Sequence, residues 1–170
     1  MPLSPAQVEF LDALLLTRQD HDMPPPTRWE EAVTEDELSA RAHVFRAVNF
    51  MLHDHSQLVE SGIDVLGSDA QPIRKIVSAS TGRAFWKVPS TNTTHNQHNR
   101  RSSGGGSGGA YVCTTTFCTC KSFAEQAKAL SADQHILCKH LLAVRLGTAL
   151  NVVECATVSD AAFADSMVGT

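Results

Sequence analysis

Long hydrophobic runs are missing from this sequence. Uninterrupted apolar stretches such as residues 13–16 and 141–144 are far shorter than the roughly 20 residues that a transmembrane helix needs, so we expect no membrane-spanning helix. At 170 residues the chain is also too short for two full-sized enzyme domains, since one domain commonly takes about 100 to 200 residues. Hydrophobic residues make up 42% of the chain, which is enough to bury a core.

Cysteine is scarce and odd in number. The five cysteines cannot all pair in disulfides within one chain. No positively charged N-terminus followed by an apolar core and a cleavage site precedes them. The sequence therefore predicts a protein of a reducing compartment, either the cytosol or the nucleus.

Acidic side chains are few in the second part of the chain. Residues 70–170 hold 10 basic and five acidic side chains, a net charge of +5, whereas residues 1–69 hold four basic and 13 acidic ones, a net charge of −9. A basic half favours a polyanion, and an acidic half repels one or binds a basic protein. Ordinary solvated faces explain the same asymmetry, so charge alone selects no function.

Two helices are predicted in the first part of the chain. Val8, Leu11 and Leu14 recur at helical spacing, which predicts a helix over 4–18. Three consecutive prolines at 24–26 then form a stiff connector, because proline lacks the amide hydrogen that a helix requires.

The second helix is predicted to begin at a capping box formed by Thr34 and Glu37 and to continue to about residue 55. Its apolar stripe consists of Leu38, Ala42, Phe45, Val48, Met51 and Leu52.

The middle of the chain favours a β-hairpin followed by an unstructured insertion. Two β-favouring runs within 73–88 flank Ser80, Thr81 and Gly82, which predicts two strands joined by a turn. Residues 90–109 are rich in Ser, Asn and Gly and contain no aliphatic or aromatic residue. No burial of apolar side chains therefore offsets the entropy of ordering them, which predicts a flexible insertion.

The predicted fold class is α+β, with N-terminal helices, a β-hairpin and a small zinc-stabilised module of strand and helix. The predicted regions are a helical region over 1–72, the hairpin over 73–89, the flexible insertion over 90–109, a zinc finger over 110–155 and a short C-terminal helix or tail over 156–170.

Four metal-binding side chains are arranged in two close pairs. Cys118 and Cys120 form a C-x-C pair, and Cys138 and His140 form a C-x-H pair after the intervening segment 121–137. Three thiolates and one imidazole are a complete tetrahedral donor set for one Zn²⁺ ion. Alternate residues of an extended backbone share a face, and a C-x-H pair can converge if its cysteine occupies the non-helical cap of a following helix. The pattern therefore predicts one structural zinc site.

Other cysteine and histidine residues are weaker candidates. Cys113 lies near the first pair, either as a packed side chain or as a replacement ligand, and its role stays open. His135 is a similar substitute for His140, otherwise exposed, whereas Cys155 is expected only to pack. A catalytic zinc ion would need an open position and a nearby carboxylate, and only Glu125 closely follows the first pair. We therefore expect no enzyme.

The C-x-C and C-x-H pairs resemble the SWIM zinc-finger family, and the sequence over 111–149 is similar to the SWIM-domain subunits of Shu complexes. The segments Ser80-Thr81-Gly82-Arg83 and Val158-Ser159-Asp160 extend this resemblance. It implies that Cys118, Cys120, Cys138 and His140 are the zinc ligands. It further implies a nuclear adaptor that binds a RecA-like ATPase paralogue and promotes assembly of the recombinase filament during homologous recombination.

Two kinds of contact follow from this hypothesis. The partner is expected to contact the second helix and the helix after His140, through Phe45, Val48, Met51, Leu141 and Val144, although these stripes are equally explained as internal core. The alternative function is a SWIM-type regulator that binds single-stranded DNA directly, mainly within a complex. Its candidate nucleic-acid contacts are Arg83, Lys87, Lys121, Lys139 and Arg145.

Overall fold

The computed structural model describes residues 3–16, 35–67, 71–90, 109–129 and 135–168. Within them the chain is α+β, as predicted, with six α-helices and one mixed sheet of four strands. The helices are α1 Pro5–Leu16, α2 Glu35–Met51, α3 Ser56–Leu66, α4 Lys121–Ala129, α5 Lys139–Ala149 and α6 Asp160–Val168. The strands are β1 Arg74–Ser78, β2 Ala84–Pro89, β3 Ala110–Cys113 and β4 Glu154–Val158.

The two predicted helices of the first part are present, but the second one is shorter. It ends at Met51, and the short 3₁₀ turn His53–His55 separates it from α3, which the sequence reasoning did not distinguish. The proline connector and the capping residue Thr34 lie outside the described residues, as does nearly all of the predicted insertion over 90–109.

The predicted hairpin is the centre of the sheet. Strands β1 and β2 pair antiparallel, and Gly82 in the turn adopts a left-handed φ of 67°, which glycine accepts without a steric penalty. The strand order is β3-β2-β1-β4. Strand β4 pairs parallel with β1 and was not predicted; it crosses the predicted limit between 110–155 and 156–170.

Helices cover both faces of the sheet. On one face Trp86, Val88 and Cys113 belong to the large core that α1, α3 and α5 complete. On the other face α6 covers a small cluster in which the rings of Phe85 and Phe163 meet edge to face, 4.9 Å apart. Helix α5 is buried on nearly all sides, so it is the central helix of the fold. None of the helices in the described ranges is long and apolar enough to cross a membrane.

Candidate metal centre

The first pair of ligands follows a tight turn after β3. Thr114 donates its backbone N–H to the carbonyl of Phe117 at 2.8 Å, and Thr119 donates to the carbonyl of Val112 at 3.0 Å. These bonds place Cys118 directly opposite Cys113, the last residue of β3. Strand β3 and its turn therefore fix the backbone position of Cys118.

The remaining ligands lie at the starts of two helices. The carbonyl of Cys120 accepts the backbone N–H of Ala124 at 3.1 Å, so Cys120 directly precedes the first turn of α4. Cys138 has an extended backbone, with φ −101° and ψ 166°, at the N-cap of α5, and His140 lies in the first turn of that helix. The predicted placement of the C-x-H pair is therefore confirmed: its cysteine occupies the non-helical cap.

Four donor atoms converge in this region. The Sγ atoms of Cys118, Cys120 and Cys138 and one ring nitrogen of His140 all lie within 4.8 Å of one another, and all four residues are buried. The Sγ of Cys118 is 3.8 Å from Nδ1 of His140. A tetrahedral zinc ion with Zn–S of about 2.3 Å and Zn–N of about 2.0 Å separates its donor atoms by about 3.5 to 3.8 Å. The group can therefore hold one metal ion with little movement of its side chains.

Backbone amides already face two of the sulfur atoms. Cys120 donates its N–H to Sγ of Cys118 at 3.4 Å, and Phe123 donates its N–H to Sγ of Cys120 at 3.3 Å. Hydrogen bonds to a charged group favour the charged form. Both amides therefore stabilise thiolates, which are the form of cysteine that binds a metal.

The site nevertheless keeps its protons when no cation is bound. The neighbouring thiol of Cys113 is the largest cause that raises the pKa of Cys118. The thiol of Cys118, followed by burial, raises the pKa of Cys138, and burial raises the pKa of Cys120. Burial, with a smaller effect of Lys139, lowers the pKa of His140 to about 4. At neutral pH the site thus holds three thiols and a neutral imidazole, and a divalent cation must displace the thiol protons.

The ring of His140 is oriented by stacking. The ring of Tyr111 lies against it, with centroids 4.3 Å apart and planes inclined at 38°. Its Nδ1 faces the cysteines, whereas Nε2 is buried without a hydrogen-bond partner among the described residues. Nδ1 is therefore the ligand atom that the arrangement favours.

The weaker candidate ligands lie apart from this cluster or at its edge. Cys113 is fully buried and its Sγ is 3.4 Å from that of Cys118, but it is not one of the four converging donors. His135 is exposed at the mouth of a separate cavity of about 260 Å³. Cys155 is exposed on β4, so the prediction that it only packs in the interior is wrong.

One predicted nucleic-acid contact is unavailable. Arg145 is only 7% exposed and donates to a carboxylate oxygen of Asp12 at 3.2 Å and to the carbonyl of Thr115 at 2.9 Å. It ties α1 to the turn before Cys118 instead of facing solvent. The remaining candidates are the exposed Arg83 and Lys121, and the half-buried Lys87 and Lys139.

Three predicted partner contacts are also corrected. Val48, Leu141 and Val144 are completely buried in the core of the chain itself, so the internal-core alternative holds for them. Phe45 and Met51 remain half-buried.

The structure adds two exposed apolar side chains on α2 that the sequence reasoning did not select as contacts. Leu38 is 56% exposed and Phe50 is 78% exposed. Phe50 borders an open cavity of about 1040 Å³ between α2 and the start of α1. Phe50 lies outside the apolar stripe that the sequence predicted for α2. A large apolar side chain outside such a stripe is a signal from which the sequence could have indicated an exposed contact residue.

No family model matches the chain. No curated protein and no solved structure matches it either. The buried group of Cys118, Cys120, Cys138 and His140, which can hold one metal ion, is the feature from which a function can be argued.

Proposed function

We propose that the chain is a non-catalytic adaptor whose SWIM-type finger is organised by one structural zinc ion. The observation that carries the proposal is the convergence of three buried sulfurs and one buried imidazole nitrogen within 4.8 Å. Among common biological metals, a tetrahedral set of thiolates and imidazole is typical of zinc. Cys118, Cys120, Cys138 and His140 would be its ligands.

The ion would join three parts of the fold. Cys118 is paired with β3, Cys120 precedes α4, and Cys138 caps α5. Because α5 is the central helix, a bound ion would stabilise the whole core as well as the finger. Structural zinc ions in small domains contribute on the order of 10 kcal/mol to folding.

A structural role is favoured over catalysis by the completeness of the donor set. Four protein donors complete the tetrahedral coordination sphere of a zinc ion and leave no position for a water molecule. No carboxylate belongs to the group of converging donors in the described ranges. Glu125, the nearest carboxylate along the chain after the first pair, is exposed and lies 3.6 Å from the ammonium of Lys121.

The proposed partner is a RecA-like ATPase paralogue, and the proposed process is assembly of the recombinase filament in homologous recombination, in the nucleus. The resemblance of the two ligand pairs to SWIM fingers of Shu complexes supports this part. A contact surface is offered by the end of α2, where the exposed Phe50 and the half-buried Met51 border the cavity beside the start of α1. Leu38 is exposed and Phe45 half-buried elsewhere on the same helix. This surface replaces the one that included Val48, Leu141 and Val144.

Direct binding of single-stranded DNA is the alternative. Arg83 and Lys121 are exposed, but Lys121 faces Glu125 and Arg145 is buried. Backbone binding to DNA depends on the number of phosphates that cations neutralise. The loss of one of five candidate cations therefore favours contact with DNA inside a complex over tight binding by the chain alone.

The test is co-expression with candidate RecA-like ATPases, followed by measurement of zinc per chain and of co-elution. The wild type is compared with Cys138→Ser and with the control Cys155→Ser, which changes an exposed cysteine outside the cluster. We expect one zinc ion per chain and partner co-elution in the wild type and the control, and loss of both in Cys138→Ser. Phe50→Ser should lose the partner and keep the zinc.

Other outcomes distinguish the alternatives. A chain that contains zinc, elutes alone and binds single-stranded DNA with strong salt dependence would favour the DNA-binding function. A wild-type chain that binds no zinc would contradict the proposed zinc-organised finger and therefore the adaptor function.

A further inference from the structure

Cys113 is a buried thiol next to the metal centre that the four-ligand site does not use. It is 0% exposed, and it lies outside the group of converging donors. Its Sγ is nevertheless 3.4 Å from Sγ of Cys118. A bound metal would therefore leave one free thiol in contact with one of its own ligands.

The backbone places these two cysteines as direct cross-strand neighbours. The amide of Thr114 bonds to Phe117 and the amide of Thr119 bonds to Val112, on either side of the pair Cys113 and Cys118. This pattern makes the two cysteines a non-hydrogen-bonded antiparallel pair, in which the Cα atoms lie about 4.5 Å apart. Disulfides span Cα separations of about 4.4 to 6.8 Å, so the typical separation of such a pair lies at the short end of the range that a disulfide can bridge.

We propose that Cys113 and Cys118 are a modification site, at which oxidation forms an intramolecular disulfide and releases the bound metal ion. This inference rests on the proposed zinc site. A disulfide removes Cys118 from the donor set and leaves only Cys120, Cys138 and His140. Cys113 thus acts as the resolving thiol for its neighbour.

The oxidant is a hydroperoxide, and the reaction has two steps. The thiolate of Cys118 attacks one oxygen of hydrogen peroxide; the O–O bond breaks, an S–O bond forms, and hydroxide leaves, so that Cys118 becomes a sulfenic acid. The sulfur of Cys113 then attacks the sulfur of Cys118. The S–S bond forms, the S–O bond breaks, and the sulfenic hydroxyl leaves with the proton of Cys113 as water. The two thiols lose two electrons in total, and the peroxide gains them.

The geometry favours Cys113 over the other cysteines as the resolving group. Cys120 and Cys138 belong to the donor set, so a bound metal occupies their sulfurs, whereas the sulfur of Cys113 stays free. The pair lies beneath the turn of Thr115, Thr116 and Phe117, whose side chains are exposed. Because both sulfurs are buried, we expect oxidation to be slow and to require opening of this turn.

The experiment uses the full-length chain loaded with zinc, as wild type, Cys113→Ala and the control Cys155→Ser. Each protein is treated with hydrogen peroxide while a chromogenic chelator records zinc release. Free thiols are then alkylated, and the disulfides are mapped by mass spectrometry. In a parallel sample, dithiothreitol and zinc are added back, and bound zinc is measured again.

We expect the wild type and Cys155→Ser to form the bond between Cys113 and Cys118, to release their zinc, and to recover it after reduction. Cys113→Ala removes the one neighbouring thiol that the metal leaves free, since Cys120 and Cys138 belong to the donor set. The sulfenic acid should then proceed to the irreversible sulfinic acid, so zinc recovery should fall by more than half. A wild-type disulfide that joins Cys118 to Cys120 or Cys138 would overturn the inference, as would equal recovery in Cys113→Ala and wild type.

The zinc content before oxidation separates this inference from the proposed function. If the untreated wild type holds no zinc, the zinc-built adaptor fails, and mapping of the oxidised chain still decides whether Cys113 and Cys118 pair. If Cys113→Ala does not fold, the wild-type map alone gives the same decision.

Discussion

Binding of zinc should release about three protons per ion at pH 7, and this number follows from the environment of the four ligands. The pKa values of Cys118, Cys120 and Cys138 are raised above the ordinary thiol value, so all three thiols are protonated at pH 7 in the metal-free site. The pKa of His140 is lowered to about 4, so its imidazole is neutral and releases no proton.

The magnitude of the pH dependence can be worked out from the same protons. Each proton displaced changes the apparent binding constant tenfold per pH unit, so three protons give about a thousandfold change, or about 4 kcal/mol per pH unit. Affinity should therefore fall steeply as the pH is lowered. Between pH 5 and pH 8 the slope should remain at three, because His140 begins to bind a proton only near pH 4.

The assay is titration calorimetry in buffers with different heats of ionisation, which counts protons, together with chelator competition at several pH values. The control Cys155→Ser, which changes a cysteine outside the cluster, should give the same count. A slope of four between pH 5 and pH 6.5 would show that His140 keeps an ordinary histidine pKa of about 6.5, and fewer than two protons at pH 7 would refute the thiol ligand set.

Three further predictions concern stability, measured by chemical denaturation of the zinc-loaded chain. Arg145→Ala should cost about 1 to 2 kcal/mol, because it removes the buried guanidinium that donates to the carbonyl of Thr115 and to the partly exposed carboxylate of Asp12; an unchanged stability combined with lost DNA binding would restore its contact role. Gly62→Ala should leave the stability unchanged or lower it by up to about 1 kcal/mol, because crowding of the new Cβ at 3.1 Å from Cδ2 of Leu142 offsets the gain of about 1 kcal/mol that alanine brings inside a helix. The matched change Gly67→Ala, whose Cβ would meet only a carbonyl oxygen at 3.6 Å, should cost less than about 0.5 kcal/mol. Gly82→Ala should cost about 1 kcal/mol, since the φ of Gly82 is left-handed at 67°. If Gly82→Ala and the wild type were equally stable, the left-handed turn between β1 and β2 would be contradicted.

The metal cluster could be predicted from the sequence because its geometry is largely local. The C-x-C pair follows a short strand and the C-x-H pair opens a helix, so each pair converges through its own backbone. Three thiols and one imidazole can hold one metal ion, and their chemistry is the basis for proposing zinc. Hydrophobic periodicity similarly predicted α1, α2 and α5, and turn residues predicted the hairpin, since these signals lie within a few residues of each other.

Long-range contacts decided the features that sequence reasoning missed. Strand β4 pairs with β1 across about 80 residues, and its exposed residues carry no alternating pattern that would reveal it. The sequence could not show that Arg145 is buried, because its partners Asp12 and Thr115 come from α1 and from the turn after β3. The sequence also could not show which residues of the apolar stripes of α2 and α5 are buried. Periodicity shows that such a face exists, whereas only the packing of α1, α3 and the sheet against it determines which side chains are core and which, such as Phe50, remain exposed.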